Sequence, residues 1–444
     1  LSKFNELRGF LVLLGGQSLS ALGSLATSFA LGVWVLQETG SVTAFGLSLV
    51  LQIVPSIFLS PIAGVVVDRF SRKKIMLLSD IASAVGSVVV FALIANDRLE
   101  VWHIYVVAAL ASCWVTFQQL AHSASISQLV PEQYRANANG LIQISMQGGA
   151  ILVPFVSMLL MDTVGLKWVI IVDFITFAIG IVCLTLVYFP PIDQQTLKSK
   201  KVSLSLVVAE TKFGVNYILQ KKELRQLVYF LAVAGFATGF VYVLYRPLVL
   251  AISGTTALGL LVSIGGIGGL VGAIIVSAWG GPKNKMNGVL GFTFIIALSS
   301  IMCGFGNSFV ILAIASFSFS FAIPVIHTCA QTIWQNAVEK ECQGRVFAVR
   351  KQIDNITTPM AVLLSPLLAD YVFTPWMAGD GPMAAWMRSF MPSEEARGLA
   401  LLFIFAGMAI LLYATLYTLF YIRGENASMG TGVTDELPSA EIPK

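Results

Sequence analysis

Twelve long apolar runs follow one another along the chain, and no other feature limits its fold so tightly. They span 10–36, 42–67, 75–95, 102–126, 139–161, 166–189, 225–250, 256–279, 286–306, 309–333, 346–372 and 398–422. A helix of about 20 apolar residues crosses the roughly 30 Å hydrocarbon layer of a bilayer. In lipid each backbone amide must find its partner inside its own segment, so such runs read as helices. Composition agrees: 57% of the 444 residues are hydrophobic and 11% are charged, against about 25% charged in soluble domains. A soluble fold of this length could not hide that much apolar surface. The first run is too long for the apolar part of a secretory leader and lacks a small-residue cleavage site after it, so no cleavable signal is expected.

The runs divide six and six around one long polar connection. The expected units are a six-helix bundle at 1–190, a linker at 191–224, a second six-helix bundle at 225–423 and a disordered polar tail at 424–444. Shifting the sequence by 205 residues brings His122 onto His327, Gln147 onto Gln352, Pro154 onto Pro359 and Gly64 onto Gly269. Each pair lies in matching helices, the pattern of a parallel repeat about an axis along the membrane normal. Within the linker, Leu204, Val207, Val208, Phe213, Tyr217 and Ile218 oppose Lys212, Lys221 and Lys222, which predicts a helix lying on the membrane surface. With both termini placed in the cytoplasm, 22 of the 27 Lys and Arg fall on the cytoplasmic side, as the positive-inside bias requires.

Several function classes are excluded at this stage. The net charge of +4 is spread over short loops and is no nucleic-acid signature. The five Cys are scattered without a CxxC pair, so neither metal nor disulfide framework is read. Gly265, Gly266, Gly268, Gly269 and Gly272 lie inside an apolar run with no following Lys-Ser/Thr; they predict close helix packing rather than a nucleotide site. No nucleophile–base pair is evident, so the chain does not read as an enzyme, and no cofactor is expected.

The sharpest local motif is Gly64-Val-Val-Val-Asp68-Arg69-Phe-Ser-Arg72-Lys73-Lys74 between the second and third runs. Gly64 would allow close helix approach. Asp68 at a helix end could pair with nearby Arg and with the positive end of a neighbouring helix. Such a cluster (Gly64, Asp68, Arg69, Arg72, Lys73) would close a cytoplasmic gate; the alternative is simple anchoring by the cations. The motif resembles the loop signature of the major facilitator superfamily. Val130-Pro131 with Arg135-Ala136-Asn137, Asp173-Phe174, Gly344-Arg345-Val346-Phe347, Ser365-Pro366-Leu367-Leu368-Ala369-Asp370 and Tyr421-Ile422-Arg423-Gly424-Glu425 resemble its macrolide-efflux and enterobactin-exporter group. The resemblance implies an all-α membrane protein of the major facilitator fold, with 12 transmembrane helices in two halves related by a pseudo-two-fold axis. It also implies proton-driven export of amphiphilic compounds from a bacterial inner membrane. Three departures concern coupling: the fourth run has no Arg, the fifth keeps Pro154 without a preceding Gly, and Ser83 stands where relatives tend to carry Arg.

Ionisable residues inside a bundle are costly and face a cavity or a partner. Asp80, Asp173 and Asp354 are therefore candidate proton carriers, since desolvation favours the neutral carboxyl and a nearby cation the charged one. The alternative is a structural hydrogen bond or gate ion pair. His122 and His327 are repeat-related and titrate near neutrality, or else make interhelical bonds. The cavity candidates are Gln17, Gln118, Gln119, Gln143, Gln147, Tyr242, Tyr245, Arg246, Gln331, Gln352 and Asn355; Arg246 could instead snorkel to headgroups. The expected partners are membrane lipid, protons and an amphiphilic substrate, with the chain acting as a monomer. A lipid or lysophospholipid flippase of the same fold, and a non-transporting membrane sensor or assembly partner, are the rival readings.

Overall fold

The computed structural model describes residues 2–189, 204–339, 342–391 and 394–431. Those residues fold into helices, with no strand among them. The first half contains α1 (Ser2–Thr39), α2 (Val42–Arg69), α3 (Arg72–Ala95), α4 (Val101–Leu129), α5 (Arg135–Thr163) and α6 (Leu166–Leu186). A linker helix, α7 (Leu204–Gln220), follows. The second half contains α8 (Lys222–Trp279), α9 (Lys285–Gly304), α10 (Phe309–Ala337), α11 (Gln343–Leu368), short α12 (Thr374–Ala378) and α13 (Pro382–Arg388), and α14 (Glu394–Thr431). A π-helical turn, Ala369–Phe373, continues α11 into α12.

Eleven described helices are long and apolar enough to cross a membrane. One of them, α8, has 58 residues, about 87 Å at 1.5 Å per residue. That is far more than one bilayer crossing. Its chain reverses at Gly254, where φ 77 and ψ −177 lie outside the range open to residues with a side chain. The segments 222–253 (α8a) and 255–279 (α8b) are thus separate crossings, and the runs expected at 225–250 and 256–279 both form. The bundle then has one face carrying the start of α1 and the end of α14, the termini side, and an opposite, far face holding the turns at 40, 97, 165, 254 and 307.

The halves repeat one packing scheme. In the first, α1 packs on α6, α2 on α4, α3 on α4, and α3 on α6. In the second, the equivalent pairs α8 with α14, α8 with α10, α9 with α10, and α9 with α14 are formed. The glycine run acts as its spacing predicts. Gly265, Gly268 and Gly272 lie along α10, where an added Cβ would strike Ser316, Phe317 and Phe321. Gly266 instead faces Ile151 of α5.

The halves join at the far face. There α2 meets α11 and α5 meets α8. One buried cluster unites Leu36, Val42 and Phe45 with Val241, Leu244, Leu248 and Leu399. Another unites Phe29, Ala30, Val33 and Met158 with Val249, Leu258 and Leu261. The clusters nearest the termini each stay within a single half: Leu13, Val67 and Met76 with Leu184 in one, Leu224, Phe230 and Trp334 with Val346 in the other.

One boundary differs from the sequence reading. Helix α14 continues to Thr431, past the expected start of the polar tail, with no Pro from 424 to 431 to stop it. The remaining tail, 432–444, and the first part of the linker, 190–203, lie outside the described residues. Within the linker, α7 spans Leu204–Gln220. It docks on the second half through buried Ile218, and Lys221 bonds Tyr217 Oη at 2.7 Å and Ala337 O at 3.1 Å.

Candidate functional site

Two carboxylates are buried within the first half, and each is tied to α1. Asp80 of α3 is 3% exposed and Asp173 of α6 is 2% exposed. Gln17 Nε2 of α1 donates to Asp80 Oδ2 at 2.9 Å, and Gln118 Nε2 of α4 donates in turn to Gln17 Oε1. Asp173 accepts from Ser87 Oγ of α3 at 2.8 Å and from Ser24 Oγ of α1 at 3.4 Å. The spacing has a simple origin. Gln17 and Ser24 are seven residues apart on α1, as are Asp80 and Ser87 on α3, so each pair shares one helix face two turns apart. The result is a ladder with two polar rungs about 10 Å apart, one per carboxylate.

Glycines let α1 and α6 close around the upper rung. An added Cβ at Gly23 would come within 3.0 Å of Asp173 Oδ1 and collide with Thr176 Oγ1. One at Gly180 would lie 3.1 Å from Ser20 Cβ. No Lys or Arg pairs with either carboxylate among the described residues. The two groups are therefore held by neutral donors.

In this conformation the motif between α2 and α3 makes its described contacts within the first half. Around Gly64 there is open space, not a neighbouring helix. The physical reason is that α2 touches α11 at the far face, leaving the termini-side end of α2 apart from the other half. Arg72 Nη1 donates to Ala124 O at 2.7 Å. Lys73 Nζ donates to Thr185 O at 2.9 Å and Val187 O at 2.7 Å, capping the C-terminus of α6. These cations bind their own half. Arg69 is exposed, and the side chain of Asp68 lies outside the described residues.

The cavity candidates separate into three groups. Gln17 and Gln118 do not line an open surface: they belong to the Asp80 rung. Tyr245 is packed into the two far-face clusters that join the halves. Arg246 does not reach for headgroups; its guanidinium sits 4.4 Å over the Phe29 ring of the opposite half. Gln331 accepts from Arg350 Nη1 at 2.7 Å. Gln119, Gln143, Gln147, Tyr242 and Gln352 are exposed, and Gln147 and Gln352 occupy equivalent positions in α5 and α11. The side chains of Asp354 and Asn355 lie outside the described residues. His122 is half-buried and its Nε2 has no hydrogen-bond partner among the described residues; His327 is exposed.

Two further carboxylates, outside the candidate set, join the halves. Asp370, in the π-helical turn, accepts from Ser41 Oγ at 2.7 Å, Val42 N at 3.2 Å and Thr43 N at 2.7 Å, at the start of α2. Asp162, at the end of α5, accepts from the hydroxyls of Thr255 and Thr256, at the start of α8b.

Residues 13–361 match the model of the family described as Major Facilitator Superfamily. Macrolide efflux protein A of Streptococcus pyogenes is 25% identical over 381 residues, covering 84% of this chain and 92% of the relative. Multidrug efflux pump Tap of Mycolicibacterium fortuitum is 25% identical over 382 residues, covering 82% and 90%. Among solved structures, a bacterial homologue of the human lysosomal transporter Spinster, in an inward-facing and unoccupied conformation, superposes with a TM-score of 0.65 at 14% identity, covering 93% of this chain and 96% of that one. A bacterial homologue of the iron transporter ferroportin in an inward-facing state also gives 0.65 at 14% identity, covering 93% and 98%.

Proposed function

The chain belongs to the major facilitator superfamily, a family of membrane transporters, and on that premise we propose that it exports amphiphilic small molecules by alternating access, driven by inward movement of protons. The direction rests on the relatives named for macrolide and multidrug efflux. The orientation rests on the charge bias: the face carrying the termini, rich in Lys and Arg, is cytoplasmic, and the membrane is the bacterial plasma membrane. The far face is then external and closed, and substrate enters from the cytoplasm or inner leaflet between the two halves.

Proton coupling rests on one observation: two buried carboxylates, Asp80 and Asp173, share α1 and have only neutral donors around them. A carboxyl in such a place changes the charge of a dry interior when it binds or loses a proton. Because both are bonded to α1, a change in either alters how α1 sits against α3 and α6. Exposed Gln143 and Gln147 on α5, with Gln352 on α11, offer hydrogen bonds to a substrate without demanding a particular charge.

The test is efflux of an amphiphilic dye or macrolide from cells expressing the chain or its Asp173→Asn form, with and without a protonophore. Efflux abolished by the protonophore and by the substitution supports a proton-coupled exporter working through Asp173. Efflux that the protonophore stops but Asp173→Asn spares moves the coupling to Asp80 or Asp354. Gradient-independent movement of lipid, with no flux of dye or macrolide, would replace this reading by the flippase.

A further inference from the structure

Among the described residues, the hydrogen bonds that cross from one half to the other all end on two carboxylates, Asp370 and Asp162. Both lie at the far face. The two contacts are related by the repeat: each comes from the end of the fifth helix of one half and reaches the start of the second helix of the other. We propose that Asp370 and Asp162 are paired latches that hold the external side shut, and that releasing them is the step that opens the transporter outward.

The Asp370 contact has the stronger chemistry. The first N–H groups of a helix have no partner within the helix, and the aligned peptide dipoles make that end positive. Ser41 caps α2 from within its own half by accepting from Ala44 N. The next donors, Val42 N and Thr43 N, are satisfied only by Asp370, from the other half. Helix α2 therefore has a complete start only while the far face is closed. A π-helical turn, a form often found at functional positions, carries Asp370 to that place. Close packing reinforces it: Gly46 sits against Pro366 with no room for a Cβ.

The Asp162 contact repeats the arrangement with hydroxyl donors at the reversal after Gly254. It is exposed, whereas Asp370 is half-buried, so water competes more strongly there. On opening, water at the external surface can take over every one of these bonds. Such contacts favour closure without locking it.

This inference rests on the transport reading only for its second experiment. The first uses spin labels at Glu38→Cys and Asn307→Cys, exposed far-face positions in opposite halves, in an otherwise cysteine-free chain in nanodiscs without substrate. Asp370→Ala is expected to lengthen the main distance peak, Asp162→Ala to do so less, and the double variant most. Ser41→Ala and the Thr255→Ala/Thr256→Ala pair should move it the same way, and they serve if the Asp variants fold poorly. An unchanged distance distribution alongside a lowered melting temperature would reduce both residues to structural caps and overturn the proposal. In the second experiment, Ser41→Cys with Asp370→Cys is oxidised to a disulfide. Efflux that stops on oxidation and returns with reductant is expected; efflux that continues with the cross-link in place would refute the latch, whatever ion drives the cycle.

Discussion

Gln17 on α1 donates a 2.9 Å hydrogen bond to Asp80 on α3, and both side chains are buried. Gln118 bonds only the far end of the same amide. Removing the middle member should therefore matter most. Gln17→Leu leaves Asp80 without a donor and is expected to destabilise the bundle by about 1–3 kcal/mol. Gln118→Leu leaves the Gln17–Asp80 bond in place and should cost less. Thermal unfolding of the purified variants in one detergent ranks the two; an equal or inverted ranking contradicts the relay.

Asp173→Asn keeps the size of the side chain and an oxygen that can accept from Ser87, while its amide nitrogen can donate to Ser24 Oγ, whose own hydrogen can go to Ser20 O. Folding should survive with a melting temperature close to that of the parent. What goes is the exchangeable proton, so gradient-driven efflux should fall by about tenfold or more, as for other ionisable groups on a transport path. Substrate exchange between the two sides without a gradient should persist, and vesicle counterflow measures it.

Gly23→Val would place branched carbons against Thr176 and Asp173 where a single Cβ already collides. Helices α1 and α6 would have to part, at about 1–3 kcal/mol for the overpacking. Gly15→Val is the control, because a Cβ there meets open space. A comparable loss of melting temperature in both would show that the close approach is not what matters.

Gly254→Ala forces a side chain into φ 77, ψ −177 at the reversal between α8a and α8b. The expected strain is about 1–3 kcal/mol, read as lower thermal stability. Gly140→Ala, at a helical glycine with open space around it, should be neutral or better.

Much of the architecture was legible because lipid writes a strong pattern: each crossing needs its own apolar run, and the runs announced themselves even where α8 has no loop at Gly254. Asp80 and Asp173 stood out for the same reason, as rare charges in apolar helices. Their partners did not. Ser24 and Ser87 look like ordinary small residues until α1 and α3 are placed side by side. Gln17 and Gln118 read as cavity residues in the sequence because a Gln in an apolar helix signals only that it avoids lipid. A buried carboxylate satisfies that demand as well as a cavity does. Asp370 enters the sequence reading only as the last residue of a motif, and Asp162 not at all, because both stand at the ends of apolar runs, where a charge is unremarkable. Their offset of 208 residues also departs from the 205 that aligns Pro154 with Pro359, so matching the halves by a fixed shift does not pair them.

The start of α2 has one more consequence. First-turn amides of a helix ordinarily trade their hydrogens with water at once, since nothing in the helix holds them. The amides of Val42 and Thr43 are held by a residue more than 300 positions away in the chain. Their deuterium uptake is thus a clock for the molecule: slow while the external side is shut, and advancing each time it opens, in a chain that carries no label at all.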